Sequence, residues 1–178
     1  GSSRLAPESR WGDFWSVSGM WHLSSEPFME AVKPVLNDVK IRASYGVNGN
    51  QPGAFYGYMG LYSYGQNYMG AAGSYESAQA NPKLKWEKNY ATNIGIDLTL
   101  FNRLTVSAEW YNRETKDLLM DKPISAAVGV INSSGVANML VNVGSMRNRG
   151  FELELKSTNI QNKDLLWTTS LNIGPVSY

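Results

Sequence analysis

The sequence predicts an all-β chain: an antiparallel, up-and-down segment of a transmembrane β-barrel, about six consecutive strands with long extracellular loops. Three observations lead there. Six stretches alternate between apolar and polar residues, as strands with one greasy face do, and no stretch sustains a helical period. The connections between them take turns short and long, the asymmetry of outer-membrane barrels, whose periplasmic turns are short and whose extracellular loops are long. Six Trp and ten Tyr in 178 residues supply rings that favour boundaries where one end of a side chain is apolar and the other wet.

Composition narrows the function classes. A formal charge of +1 with scattered Lys and Arg gives no electrostatic footprint for nucleic acid. The absence of cysteine leaves neither a disulfide framework nor a thiolate metal site. No run reaches the roughly 18 apolar residues of a membrane-spanning helix, and "GSSRLAPESRWG" lacks the basic and apolar regions of a secretory signal.

The first strand is read in "FWSVSGMWHLS", where Trp15, Val17, Trp21 and Leu23 share one parity and Ser16, Ser18, His22 and Ser24 the other. Two prolines in "SEPFMEAVKPVLN" limit any helix in the following connection, 25–37, to a turn or so. "DVKIRASYGVNGN" carries the cleanest alternation: Val39, Ile41, Ala43, Tyr45 and Val47 against Lys40, Arg42, Ser44, Gly46 and Asn48. Its length suits a tilted membrane strand of about 9 to 11 residues. Residues 49–85, rich in Gly, Pro, Asn and Ser and studded with tyrosines, form a long loop with room for a small hairpin.

Alternation returns with Thr92, Ile94, Ile96, Leu98 and Leu100, followed by a partner strand with Leu104, Val106, Ala108 and Trp110. If Phe101, Asn102 and Arg103 form a three-residue loop, Leu100 faces Leu104, Leu98 faces Val106 and Ile96 faces Ala108. A two-residue loop would set Leu98 against Ser107, so the pattern selects three. Residues 115–142 form a second long connection. "MRNRGFELELKS" is the fifth strand; a turn-like 158–165 leads to the sixth, with Trp167, Thr169, Leu171 and Ile173 on one side.

Which face of these strands is wet decides the architecture. In a soluble sheet the charges face bulk water; in a barrel the apolar row faces lipid and the charges line the lumen. Structureless loops longer than about 12 to 15 residues are uncommon in compact soluble domains, which favours the barrel. So does the placement of Trp15, Trp21, Trp86, Trp110 and Trp167 toward strand ends, where interfacial girdles lie. A soluble β-sandwich, binding carbohydrate through its aromatic loops, stays open as the alternative.

"KIRASYGVNGNQ" (40–51), "NPKLKWEKNYATNIGIDLTLFNRLTVSAEWYNRETKDLLM" (81–120) and "NVGSMRNRGFELELKSTN" (142–159), in this order, resemble the SusC/RagA-like branch of TonB-dependent outer-membrane transporters, typical of Bacteroidota. "GSSRLAPESRWGDFWSVSGMWHLS" also resembles this branch, so Gly1 to Ser3 read as native. The resemblance implies a 22-stranded barrel in the outer membrane, closed by an N-terminal plug. It further implies a SusD-like surface lipoprotein as partner, an oligosaccharide or peptide as substrate, and the inner-membrane TonB complex as drive. Residues 1–178 then read as part of the barrel domain without plug, TonB box or signal peptide. Because a bilayer satisfies no unpaired backbone group, six strands with two open edges cannot span it alone; by itself such a piece is expected to aggregate and transport nothing.

No enzymatic constellation, cofactor site or metal set is predicted. His22, on a polar face with no cysteine and no second histidine, suits a lumen hydrogen bond better than metal ligation. Asp97, Glu109, Glu152 and Glu154 share polar faces with Lys40, Arg42, Arg113 and Lys156; a wetted wall of balanced charges outweighs a solute track or plug contacts. Tyr56, Tyr58, Tyr62 and Tyr64 are the substrate-contact candidates, since tyrosines stack on sugar faces and hydrogen-bond through the hydroxyl. Packing that merely orders a Gly-rich loop is the competing reading. "NGNQPG" reads as a chain reversal, and the glycosylation-like "NSS" at 132 is given no role.

Overall fold

The computed structural model describes residues 1–125, 127, 129, 138–174, 176 and 177. It contains β1 (Trp15–His22), β2 (Leu36–Asn50), β3 (Leu61–Tyr68), β4 (Ala71–Ala78), β5 (Glu87–Leu100), β6 (Leu104–Lys116), β7 (Leu119–Pro123), β8 (Asn138–Asn142), β9 (Ser145–Gln161), β10 (Leu166–Ile173) and β11 (Val176–Ser177). Two short 3-10 turns, Leu23–Ser25 and Pro27–Val32, follow β1. The chain forms two compact units. One comprises 1–14, 48–89 and 115–146; the other comprises 15–47, 90–114 and 147–178.

The second unit is built on one sheet of strand order β1-β2-β5-β6-β9-β10, with β11 also paired to β9. The six predicted strands are the six on this path. β1 pairs antiparallel with β2, setting Trp15 against Val47, Val17 against Tyr45 and Trp21 against Ile41. β9 and β10 set Leu155 against Leu171 and Leu153 against Ile173. Beyond Ile173, Val176 continues in the same register opposite Gly150. These pairs join like parities, so each row across the sheet is apolar on one face and polar on the other.

β5 ends at Leu100 and β6 resumes at Leu104, giving the three-residue loop. Phe101 and Asn102 take left-handed backbone angles, φ 52° and 54°, and the Arg103 N–H closes the turn on the Leu100 carbonyl at 3.0 Å. Ser107 donates to Asp97 at 2.5 Å and Thr115 to Asn89 at 2.5 Å. Both bonds join positions that the Leu100–Leu104 register places opposite each other. The Asn102 N–H is taken by the Asn37 side chain, and the Phe101 N–H by the Val35 carbonyl, so the turn's free donors are satisfied.

Boundaries differ from expectation in three places. β9 continues to Gln161, so the turn is 162–165 rather than 158–165, closed by the Asn162 N–H on the Leu165 carbonyl. A bulge between Trp167 and Thr168 sets Trp167 against Ile160 and Thr168 against Thr158. The extra residue, Asn159, donates to Thr169; the bulge returns Ile160 to the face of Trp167, which a strict alternation reads as the strand's end. Trp110 lies in the middle of β6, not toward its end.

Every described strand of the second unit belongs to one sheet, so among the described residues no second layer stacks on its apolar rows within that unit. Val39 and Val47 are buried, whereas Ile41, Ile96, Val106 and Leu153 are half-buried. Trp15, Trp21, Ile94, Phe151, Trp167, Leu171 and Ile173 are exposed. A β-sandwich would bury these side chains between two sheets.

The first unit carries the long connections, each with a hairpin of its own. β3 pairs with β4 and β7 with β8. Met69 and Gly70, at φ 50° and 82°, form the two-residue link from β3 to β4, the double left-handed geometry that matches strand twist. Leu5 and Leu84 are fully buried, with Pro52, Ala6 and Val141 also buried. The N-terminal segment and both connections therefore share a small core. The "NSS" site at 132 lies outside the described residues.

Candidate functional site

On the polar face of the sheet two hubs collect the charges. Arg42 of β2 donates through Nε to Asp97 at 3.2 Å and pairs with Glu109 at 2.8 Å. Gly95 of β5 makes this possible: a Cβ there would meet the Arg42 Nε at 2.8 Å and its Cγ at 3.1 Å, so the guanidinium lies flat across the strand only because the residue beneath is glycine. Asp97 also accepts from Ser107. The second hub is Asp38, which takes Lys40 at 2.7 Å, His22 Nε2 at 2.5 Å and Ser24 Oγ at 2.9 Å. His22 Nδ1 in turn meets Ser25 Oγ at 3.0 Å, so both ring nitrogens are engaged in hydrogen bonds.

Further along, Lys156 pairs with Glu154 at 2.6 Å. Arg42, Ser107, Glu109, Glu152, Glu154 and Asn172 line a recess of about 390 Å³. The ion-paired side chains retain 29–63% exposure, and exposed pairs contribute roughly 0 to 1 kcal/mol each. The face is thus a hydrated, cross-linked polar surface. Among the described residues it presents no activated nucleophile and no group of three or more potential metal ligands.

The candidate tyrosines belong to the first unit and fall into two pairs. Tyr56 and Tyr58 lie in the bend before β3, with Tyr56 at φ 58° and its carbonyl accepting from the Met59 N–H at 2.8 Å. Tyr62 and Tyr64 lie on one face of β3, opposite Glu76 and Ser74 of β4. Tyr56, Tyr62 and Tyr64 are 55%, 62% and 84% exposed, while Tyr58 is half-buried. Among the described residues, none of the four rings stacks on another aromatic ring, so they do not order the loop by packing on one another.

The bend that carries Tyr56 is held from a distance in sequence. Arg4 donates to the carbonyls of Pro52 and Gly53 at 3.0 and 2.8 Å, and its guanidinium lies 4.1 Å from the centroid of Phe55. Asn142 ties the other connection down, donating to the carbonyls of Lys85 and Asp117. Sequence reading missed Arg4, Asn142 and Asp38, since each acts across 14 to 57 residues and carries no local motif. The Gly95–Arg42 pairing had one signal, a glycine inside a strand pattern.

A single antiparallel layer, apolar on one face and ion-paired on the other, with hairpin-bearing long connections, defines the wall of a membrane β-barrel. The chain belongs to the TonB dependent receptor-like, beta-barrel family, whose profile matches residues 3–178. TonB-dependent receptor P39 of Formosa agariphila is 36% identical over 98% of this chain. TonB-dependent receptor SusC of Bacteroides thetaiotaomicron is 34% identical over 97% of it. The solved structure of the RagAB peptide importer in its closed-closed state superposes with a TM-score of 0.83 at 34% identity over 98% of the chain. The open-open state gives 0.81 at 32% identity. The chain spans 16–18% of the length of these relatives.

Proposed function

We propose that residues 1–178 form part of the barrel domain of an outer-membrane TonB-dependent importer of glycans or peptides. In this reading the apolar face meets outer-membrane lipid, the polar face lines the lumen, and the long connections are extracellular. The rest of the longer receptor completes a 22-stranded barrel and supplies the plug on which the TonB complex pulls. A SusD-like surface lipoprotein delivers the oligosaccharide or peptide. Tyr56, Tyr62 and Tyr64, which are exposed, and the half-buried Tyr58 contact it through their rings and hydroxyls. The observation that carries the reading is the one-layer sheet whose apolar rows have, among the described residues, no protein layer over them in their unit, together with its likeness along nearly the whole chain to part of a solved peptide importer. The test is uptake by cells carrying the longer receptor with all four tyrosines changed to Ala. Surface levels should stay normal while uptake of the nutrient that induces the receptor falls; unchanged uptake at normal levels removes the tyrosines from the path.

A further inference from the structure

Within the second unit, the strand positions that share the apolar parity are almost free of charge. In β1, β2, β10 and the stretch of β5 from Tyr90 to Leu100, no position of that parity carries a charged residue. The exceptions among the described residues are Glu114 near the end of β6 and Arg147 and Arg149 at the start of β9. They lie together. Arg147 Nη2 meets a Glu114 carboxylate oxygen at 3.3 Å, and further down the same pair of strands the Thr158 N–H donates to the Arg103 carbonyl at 2.8 Å. Both contacts fit one antiparallel register of β9 on β6, which sets Arg149 beside Asn112 and Phe151 beside Trp110.

Alternation puts this cluster on the face of Leu153 and Leu155, one step beyond an aromatic pair, Trp110 and Phe151, both exposed. Glu114 neutralises one of the two arginines, so the cluster keeps a net positive charge. Arg149 is exposed and Asn112 half-buried; among the described residues neither side chain has an ion-pair or hydrogen-bond partner. At the opposite end of the same strands the apolar parity finishes in Leu100, Leu104 and Ser157, all uncharged. Cations therefore stand at one end of the apolar face only, the end where β9 leaves the long connection 115–142.

We infer that this cluster binds an outer-leaflet lipid whose headgroup ends in a phosphomonoester. Such a group carries about −1.5 to −2 charge and three acceptor oxygens. The planar fork of Arg149 takes two of them, and the Asn112 amide and the free N–H groups of Arg147 supply donors for the third. A zwitterionic headgroup would bring an ammonium to a site whose one carboxylate is already paired with Arg147. The acyl chains lie over Trp110 and Phe151, on the face that continues to Leu153, so the ligand is an amphiphile rather than a free anion. The inference rests on the lipid-facing reading of the wall and names the lipid that its extracellular edge selects.

The experiment uses the longer receptor purified in detergent, with native mass spectrometry counting the lipids retained from mixed micelles of monophosphoryl lipid A and the same glycolipid stripped of its phosphate. The phosphorylated form should be held about tenfold more strongly, the difference of one charge-assisted contact. Arg149→Gln should abolish that preference. Arg149→Lys, which keeps the charge and loses the fork, should keep only part of it, and carries the test if the glutamine variant fails to fold. Lys163→Gln, which removes a cation from the turn before β10, should change nothing, and inorganic phosphate should not displace the lipid. Equal retention of the two forms overturns the inference, as does a preference left whole by either Arg149 variant. Displacement by inorganic phosphate overturns it too, by making the ligand a free anion. Uptake measured on the same variants keeps the import reading apart, since loss of the lipid with normal uptake leaves it standing, and oxygen collision at spin labels on 94 and 96 reports the lipid-facing wall independently.

Discussion

Replacing Ile96 by Arg, and separately by Phe, separates a lipid-facing wall from a protein core. The register sets Ile96 opposite Ala108 on β6, and Ile96 lies four residues from Leu100 and six from Tyr90 on the same parity of β5. Ten residues at about 3.3 Å each span about 33 Å of strand. Tilted by roughly 40°, they cover about 25 Å of height, the thickness of the apolar band of a membrane barrel. Ile96 therefore sits near the middle of the band. An arginine at that depth costs about 2–4 kcal/mol, falling to about 0–1 near the interfaces, or about 30- to 900-fold in the folding equilibrium at the centre. Phenylalanine at the same site meets fluid hydrocarbon and costs little, whereas overpacking a protein core costs about 1–3 kcal/mol. The assay is urea unfolding of the longer receptor in phospholipid vesicles, with arginine placed in turn at Thr92, Ile96 and Leu100. The reasoning fails if Phe at 96 is as damaging as Arg, or if the arginine cost is the same at all three depths.

The remaining predictions concern the polar face and the loop core. Gly95→Ala should displace the Arg42 side chain from Asp97 and Glu109 and cost about 1 kcal/mol, read as a lower urea midpoint in vesicles; Arg42→Ala in the same background should then add almost nothing, because the two act on one contact. Leu84→Ala, at a fully buried site, should cost the first unit about 2–5 kcal/mol and raise amide exchange across 1–14 and 138–142, while protection along 93–98 of β5 stays unchanged. Arg4→Ala should expose the 52–58 bend, seen as faster cleavage there in limited proteolysis of the longer receptor, with Arg4→Lys intermediate because a single ammonium cannot span both carbonyls while covering Phe55.

The strands were legible because each needs only its own residues: parity in Val39 to Val47 or Ile94 to Leu100 fixes a face without knowledge of the neighbour, and a three-residue loop then fixes the register of β5 on β6. The fifth strand's end was harder, since the Asn159 bulge breaks parity and reads as a turn. Relations between distant segments were not legible. Arg42 finds Asp97 because β2 pairs with β5 across a long connection, and only that pairing gives Gly95 its reason. Leu5 and Leu84 give no periodic signal, yet they make the core of the first unit, where the N-terminal segment and the loops meet. The tyrosines were visible by type, but their exposure on β3 and on the bend held by Arg4 depends on that hidden core.

The most direct test follows the accessibility of β5 residue by residue. The segment has no cysteine, so single cysteines at 92 through 100 in the longer receptor, given a cysteine-free background and spin-labelled in a bilayer, report collision with oxygen dissolved in lipid or with a water-soluble nickel complex. Labels at 94, 96 and 98 should favour oxygen and those at 93, 95 and 97 the nickel complex, with a period of two. Labels at 94, 96 and 98 shielded from both reagents would place a protein layer over that face and contradict the lipid-facing wall.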